Sequence, residues 1–427
     1  MNRGWLVKIA LLAVALLLVA AACAKEATPA PAPGAPTPAA EKKPIRLYEI
    51  PDITGPVSIV ALPLFEGALG WTRWINEQGG INGHRVELVY EDSGYEVPRI
   101  LAIYTKWQAK GAFVTVQYSS GGGEATKPRG EKDRVVIYNF GQSDPQYYPP
   151  SYNLSWGMTY GDGMGVFLDW VKANWTKDRA PKIAILTYDN AFGRAPMEPG
   201  ERYAKYLGME WYGTEFAGWV PADTTPQLVK FRDAGVDYFF SQFLTHTAAI
   251  VQRDMGKLGL HGKLTPVYFW WAPLDQMIEG AGADAEFAVN VQLHYNSSDV
   301  QVPGIAAMKA FAEGTGKKFN TAYIRGWRGH EFLAEGIKIA LGQVGDDPDK
   351  ITGEILLNAL LSIKDFDSGL GPKEGIPGPN YRVLQDVGRI EQVQGGKVVV
   401  LTDWMKAPHL FPTDQAHLFP GEPVIGK

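Results

Sequence analysis

The sequence predicts an α/β protein of two lobes, each a mostly parallel sheet covered by helices. Three observations carry this. The chain has 427 residues, more than one hydrophobic core usually organises. From Ile45 onward, short β-rich runs alternate with longer helical patterns, the signature of a parallel sheet with helices on both faces. The same alternation restarts after Tyr160, giving two such series. No self-similarity at about 20–50 residues is visible, which sets aside a solenoid.

In the first series, Val86–Tyr90, Ala112–Val116 and Val135–Tyr138 read as strands. Between them, Phe65, Ala68, Leu69, Trp74 and Ile75 fall at helical spacing, as do Val97, Ile100, Leu101 and Tyr104. In the second series, Lys182–Thr187, Val236–Phe240 and Pro266–Trp270 read as strands, with helices over Glu201–Leu207 and Ala248–Leu258. Parallel sheets gather ligands outside the carboxyl ends of their strands, where free N–H groups and helix N-termini converge. Two lobes facing each other there form a cleft that can close by hinging.

Composition narrows the class. With 45% hydrophobic residues, 20% charged and a formal net charge of −5, the folded part is an ordinary globular protein. No Lys/Arg face is clustered enough to track phosphates, so no nucleic-acid partner is expected. The 13 Trp, 19 Tyr and 18 Phe supply core and can also line an apolar pocket.

The N-terminus reads as a targeting segment. Arg3 and Lys8 precede an apolar run from Ile9 to Ala22, and small residues stand before Cys23, the pattern of a secretory signal over residues 1–22. The run is shorter than the ~20 residues that span a bilayer. Cys23 is the single cysteine, which excludes an intramolecular disulfide. Its setting after three alanines resembles a bacterial lipobox, with Ala20 in place of the usual Leu. That resemblance implies lipidation of Cys23 and an extracytoplasmic, membrane-anchored protein. Residues 23–44 continue as a Pro/Ala-rich stretch that favours extended geometry and reads as a tether.

Enzymatic signatures are poor. His330-Glu331-Phe332-Leu333-Ala334 begins like a zinc-protease helix but lacks the second His. Gly141-Gln142-Ser143-Asp144-Pro145 lacks the second Gly of a nucleophile elbow. Gly161-Asp162-Gly163-Met164-Gly165 is no dinucleotide fingerprint, and the His residues show no ligand spacing. No catalytic residue, metal site or cofactor is expected. The informative segments are Tyr118-Ser119-Ser120-Gly121-Gly122-Gly123 and Phe140-Gly141-Gln142-Ser143-Asp144, which follow neighbouring strands. Such turns can aim hydroxyls and N–H groups at one point, a cradle for a carboxylate or similar oxygen-rich group. They serve equally as ordinary capped loops.

Thr54-Gly55-Pro56, Phe65-Glu66-Gly67-Ala68 and Ile75-Asn76-Glu77-Gln78-Gly79-Gly80-Ile81-Asn82-Gly83 resemble the opening of the leucine/isoleucine/valine-binding protein family. Glu91-Asp92-Ser93, Tyr188-Asp189-Asn190-Ala191-Phe192-Gly193 and Asp365-Phe366-Asp367-Ser368-Gly369-Leu370-Gly371 extend the likeness over about Ile45 to Trp404. The resemblance implies the type I periplasmic binding fold, two doubly wound parallel-sheet lobes joined by a three-crossing hinge. Crossings near Tyr160, His294 and Lys373 would make lobe 1 of residues 45–160 with 295–373, and lobe 2 of 161–294 with 374–427. It also implies a monomer that delivers a small-molecule ligand to the permease of an ATP-driven (ABC) importer. A sensory ligand-binding protein of the same fold is the other class the sequence leaves open.

By the same resemblance, Ser119 or Ser120, with Gly141 and Ser143, correspond to the turns that hold a ligand carboxylate. The family's acid that pairs with an amino acid's ammonium maps to about Trp271, next to Trp270. Val60 takes the place of an aromatic group at the cleft mouth, and Phe192 and Phe243 take lobe-two ring positions. Stranding a buried charge costs ~3–5 kcal/mol, so this pocket is expected to take an apolar or aromatic carboxylate or amide. Rescue of the missing acid by Asp189 or Asp275 would restore a branched-chain or other hydrophobic amino acid as ligand. Adjacent strand residues point oppositely, so the sequence leaves open which tryptophan faces the cleft.

Overall fold

The computed structural model describes residues 42–425. The predicted leader, Cys23 and the tether up to residue 41 lie outside the described residues.

Two sheets organise the chain. The first is five-stranded and wholly parallel, in the order β2-β1-β3-β4-β5. Its strands are β1 (Ile45–Ile50), β2 (Val86–Tyr90), β3 (Val114–Gln117), β4 (Val136–Asn139) and β5 (Asn153–Ser155). The inner strands β3 and β4 are buried along their whole length, as expected where helices cover both faces. The second sheet has the order β12-β11-β10-β9-β8-β6-β7, with β13 on β11. Here β6 (Lys182–Thr187), β7 (Glu210–Phe216), β8 (Tyr238–Gln242), β9 (Thr265–Phe269) and β10 (Val289–Gln292) are parallel.

The remaining strands, β11 (Val387–Gln394), β12 (Lys397–Val400) and β13 (Met405–Lys406), pair antiparallel. Gly395 and Gly396, at φ +59° and +71°, make the two-residue turn between β11 and β12. Positive φ at both positions suits the right-handed twist of a hairpin and favours glycine.

The chain passes from the first sheet to the second between Ser155 and Lys182, through helix Tyr160–Asn174. After Gln292 it returns to helices Pro303–Gly314, Thr321–Gln343 and Gly353–Ser362, the last two packing on helix Ser58–Glu77 and on β4. Between Ser362 and Val387 it goes back to the second sheet. The fold is therefore two doubly wound parallel-sheet lobes joined by three crossings. Helices Ser58–Glu77 and Thr321–Gln343 touch backbone to backbone. A Cβ on Gly67 would come 2.1 Å from the Tyr323 carbonyl oxygen, and one on Gly326 would come 1.8 Å from that of Leu64.

A C-terminal segment straps the crossings. The Arg202 guanidinium donates to the carbonyls of Leu410, Phe411 and Ile425. Leu410 N donates to Asp162 Oδ1 at 2.7 Å. Tyr148, Phe411 and Phe419 form a small core beneath the strap.

One element departs from expectation. Ser120–Asp133 is a helix, where the sequence reads as a polar turn. Ser119 caps it by accepting from Gly122 N at 3.0 Å. Its glycines let the first turn press on its neighbours: a Cβ on Gly123 would fall 1.8 Å from Gln146 Oε1. Close packing of small residues, rather than an apolar stripe, selects this helix.

Candidate functional site

The carboxyl ends of parallel strands from both sheets converge on one cavity between them. It is narrow and partly open to solvent. Beyond β1, Val57, Val60 and Ala61 present small apolar side chains. Asp52 fixes that turn by accepting from Gly55 N at 2.7 Å and Val57 N at 2.9 Å. Beyond β2, Asp92 accepts from Ile53 N and Gly94 N, tying the loop that carries Tyr95 to the β1 turn. Tyr95, at φ +62°, reaches into the cavity and meets Trp219 of the second-sheet side edge-on at 5.8 Å.

Beyond β3, Tyr118 and Ser120 contribute. Ser120 is buried, and its hydroxyl has no well-formed hydrogen bond among the described residues. The second-sheet side supplies Tyr160 and Phe192, in edge-to-face contact at 5.2 Å, together with Leu244 and Trp271. Trp271 Nε1 donates to the Tyr160 hydroxyl at 3.1 Å. The Tyr160 hydroxyl also neighbours the Ser120 hydroxyl and the Gln142 backbone. Burial pushes the Tyr160 phenol up to about 12 and that of Tyr95 higher still. Both hydroxyls therefore stay protonated and act as donors at neutral pH.

Ten side chains line this cavity and none of them is charged. Two acids stand behind the first-sheet side: Asp52, which holds Val57 N, and Glu49, which accepts from the Tyr118 hydroxyl at 2.8 Å. Glu49 is also 2.7 Å from His330 Nε2, while His330 Nδ1 faces the Gly326 carbonyl. Both imidazole nitrogens have hydrogen-bond partners. His330 is thus a buried partner of Glu49. Among the described residues no group of three or more His, Cys, Asp or Glu is placed to hold a metal.

The residues singled out from sequence divide clearly. Val60, Ser120, Phe192 and Trp271 meet at the cavity. Ser119 lies just behind as the helix cap. Gly141 packs on the Ser119–Ser120 backbone, and its N–H is taken by Asn139 Oδ1 at 2.8 Å. Ser143 donates to Glu124 at 2.6 Å and accepts from Gln146, so its hydroxyl is engaged. Phe243 stands behind the wall against Tyr188, ring centroids 4.6 Å apart. Trp270 is fully buried, beside Trp271 at 4.9 Å between ring centroids, and stacks on Trp156 at 4.8 Å.

Of the two candidate rescuing acids, Asp189 is exposed and paired with Arg194. Asp275 accepts from the Ser297 and Thr321 hydroxyls and does not line the cavity. Tyr95, Tyr118, Tyr160 and Leu244 were not singled out from sequence. Their position one to five residues past a strand end, or at a helix start, is the signal that marks them.

A family model described as "Periplasmic binding protein" matches residues 49–397. A Leu/Ile/Val-binding protein homolog 1 from Brucella suis biovar 1 (strain 1330) is 22% identical over 213 residues, 49% of this chain and 56% of that protein. The chain thus spans little more than half the length of the curated relatives it matches. A branched-chain amino acid ABC transporter protein from Thermus thermophilus, solved with bound valine, superposes with a TM-score of 0.79 at 21% identity, over 88% of this chain and 99% of that one. A fatty acid ABC transporter substrate-binding protein from Thermomonospora curvata gives 0.73 at 19%, over 86% and 93%.

Proposed function

The chain belongs to the periplasmic binding protein family, and from that premise we propose that it is an extracytoplasmic solute-binding lipoprotein. It takes a small apolar or aromatic carboxylate or amide between its two lobes and presents it to the permease of an ABC importer. One observation carries the ligand reading: the cavity wall is apolar and aromatic, holds a buried hydroxyl at Ser120 beside that of Tyr160, and includes no charged side chain. An amino acid's ammonium, brought into that wall, would lose water without gaining a counter-charge. A carboxylate or amide oxygen would meet the Ser120 hydroxyl beside the N-terminus of helix Ser120–Asp133. Trp271, Phe192 and Val60 would bury the apolar body at ~25 cal/mol per Å².

Lobe closure over the ligand would create the surface a permease reads. Cys23 would carry the lipid, with residues 24–44 as the spacer. The valine bound by the Thermus protein makes a hydrophobic amino acid the rival ligand. A thermal-shift screen of the full chain in mild detergent, against aromatic acids, aliphatic acids, amides and amino acids, decides between them. Saturation at 100 times Kd stabilises by ~2.7 kcal/mol. A shift with acids or amides supports the proposal, and a shift confined to leucine, isoleucine or valine refutes the ligand class.

A further inference from the structure

Behind Trp271 lies a buried charge that the cavity wall conceals. Arg325, in the second turn of helix Thr321–Gln343, is fully buried. Its Cζ sits 4.1 Å from the ring centroid of Trp270 and 4.5 Å from that of Trp271. Nη2 donates to the Trp270 carbonyl oxygen at 2.6 Å. Nε and Nη1 have no hydrogen-bond partner among the described residues, and no carboxylate there stands at ion-pairing distance. Arg328, one turn on and equally buried, shows the contrast: Glu374 lies 3.2 Å from its Nη2. Burial pulls the Arg325 ionisation down to about 9, still above neutrality.

No carboxylate among the described residues pairs directly with this charge, although Asp275 acts on it and Asp52 acts on Tyr95 across the cavity. Glu49 is paired with His330 behind Tyr118. Burial holds His294, which flanks Trp270 at 6.0 Å, neutral. Asp275 attracts the guanidinium, yet its Oδ2 is held by the hydroxyls of Ser297 and Thr321. The Arg325 guanidinium lies over the indole of Trp271, whose Nε1–H in turn engages the Tyr160 hydroxyl beside Ser120. The hydroxyls of Tyr95, Ser120 and Tyr160 can each offer a proton at this wall, with the guanidinium behind the Trp271 ring.

We infer that Arg325 is the charge-selecting residue of this site, acting through Trp271 and Tyr160, so that the ligand is a monoanionic carboxylate rather than an amide or a zwitterion. This rests on the reading that the cavity is the solute site. A unit charge acting across roughly one ring thickness, at an effective dielectric constant near 20, makes a difference of roughly 10- to 50-fold in affinity.

The experiment is titration calorimetry on the full chain with two matched series. One is 3-phenylpropanoate, its amide and phenylalanine; the other is 4-methylpentanoate, its amide and leucine. The expected result is acid bound at least about 10-fold more tightly than amide or amino acid, within whichever series fits. In Arg325→Gln the acid-to-amide ratio should fall to within about 3-fold, and Arg325→Lys should retain most of it. Should Arg325→Gln fail to fold, the wild-type ratio and the Lys variant still decide. Acid and amide binding equally would overturn the role of Arg325 while leaving the solute site standing. Tighter binding of leucine or phenylalanine than of the matched acid, or no binding in either series, would overturn both.

Discussion

Ser119 and Ser120 are adjacent hydroxyls with opposite duties, and substituting each by alanine separates them. Ser119 Oγ accepts from Gly122 N at 3.0 Å and caps helix Ser120–Asp133. Losing a cap of this kind costs about 1 kcal/mol of stability. Ser120 Oγ is buried beside the cavity without a well-formed protein hydrogen bond. Deleting it removes a desolvated group that gains nothing in return, so the unliganded protein should keep its stability or gain a few tenths of a kcal/mol. Ligand affinity should behave the other way. A hydroxyl bonded to a charged oxygen contributes about 1.5–3 kcal/mol, so Ser120→Ala should weaken an acid roughly 10- to 150-fold. Ser119→Ala should change affinity only several-fold, through the slackened helix start. Denaturant unfolding without ligand, paired with calorimetric titration of the best acid, measures both quantities. If Ser120→Ala destabilises the free protein by more than about 1.5 kcal/mol and leaves affinity intact, the hydroxyl is structural and the cradle argument fails.

Three further predictions follow from other parts of the molecule. A Cβ on Gly141 would lie 2.6 Å from Ser120 N and 2.7 Å from the Ser119 carbonyl carbon, both backbone atoms that cannot swing aside. Gly141→Ala should therefore cost about 1–3 kcal/mol in urea unfolding and displace the cradle, with affinity falling about tenfold or more. Burial raises the Asp162 carboxyl to about 7, so the folded state holds a proton that the unfolded chain has released. Its contribution is complete below the unfolded value, near 4, and is lost as pH rises through about 7. Asp162→Asn keeps an oxygen for Leu410 N and should flatten that slope, raising Tm relative to wild type at pH 8; an unchanged slope would show that the carboxyl is not protonated. Cys23→Ala should move the protein from the membrane to the soluble fraction on cell fractionation, and retention at the membrane would contradict lipid anchoring.

The strands were legible because burial on both faces writes them as continuous apolar runs. Val136-Ile137-Tyr138 and Ile183-Ala184-Ile185-Leu186 are fully buried and allow no other period. Strand bounds slid by a residue or two, as at β8, where Val236 and Asp237 precede the ladder. Helix Ser120–Asp133 was hidden because its fit depends on glycines meeting Asn139 and Gln146 across the fold, contacts that no local pattern encodes. The antiparallel end of the second sheet and the C-terminal strap were likewise set by partners far along the chain.

In the site, resemblance pointed to turns that lie at or just behind the cavity, and the structure sorted their members. Gly141 and Ser143 support the Ser119–Ser120 turn and offer no free donor to the cavity. Arg325 was invisible for another reason. In Tyr323-Ile324-Arg325-Gly326-Trp327-Arg328, an arginine reads as a solvated face, and only packing against Trp270 and Trp271 reveals a buried charge.

The account stands or falls on where a solute binds. A crystal structure of the protein grown with the acid that most raises its Tm tests this most directly. The account predicts ligand density in the cavity between Ser120 and Trp271, an oxygen within hydrogen-bonding distance of Ser120 Oγ, and the apolar body against Phe192 and Val60. Density lodged instead in the open groove near His246 and Arg253, with the Ser120–Trp271 cavity unchanged, would contradict it.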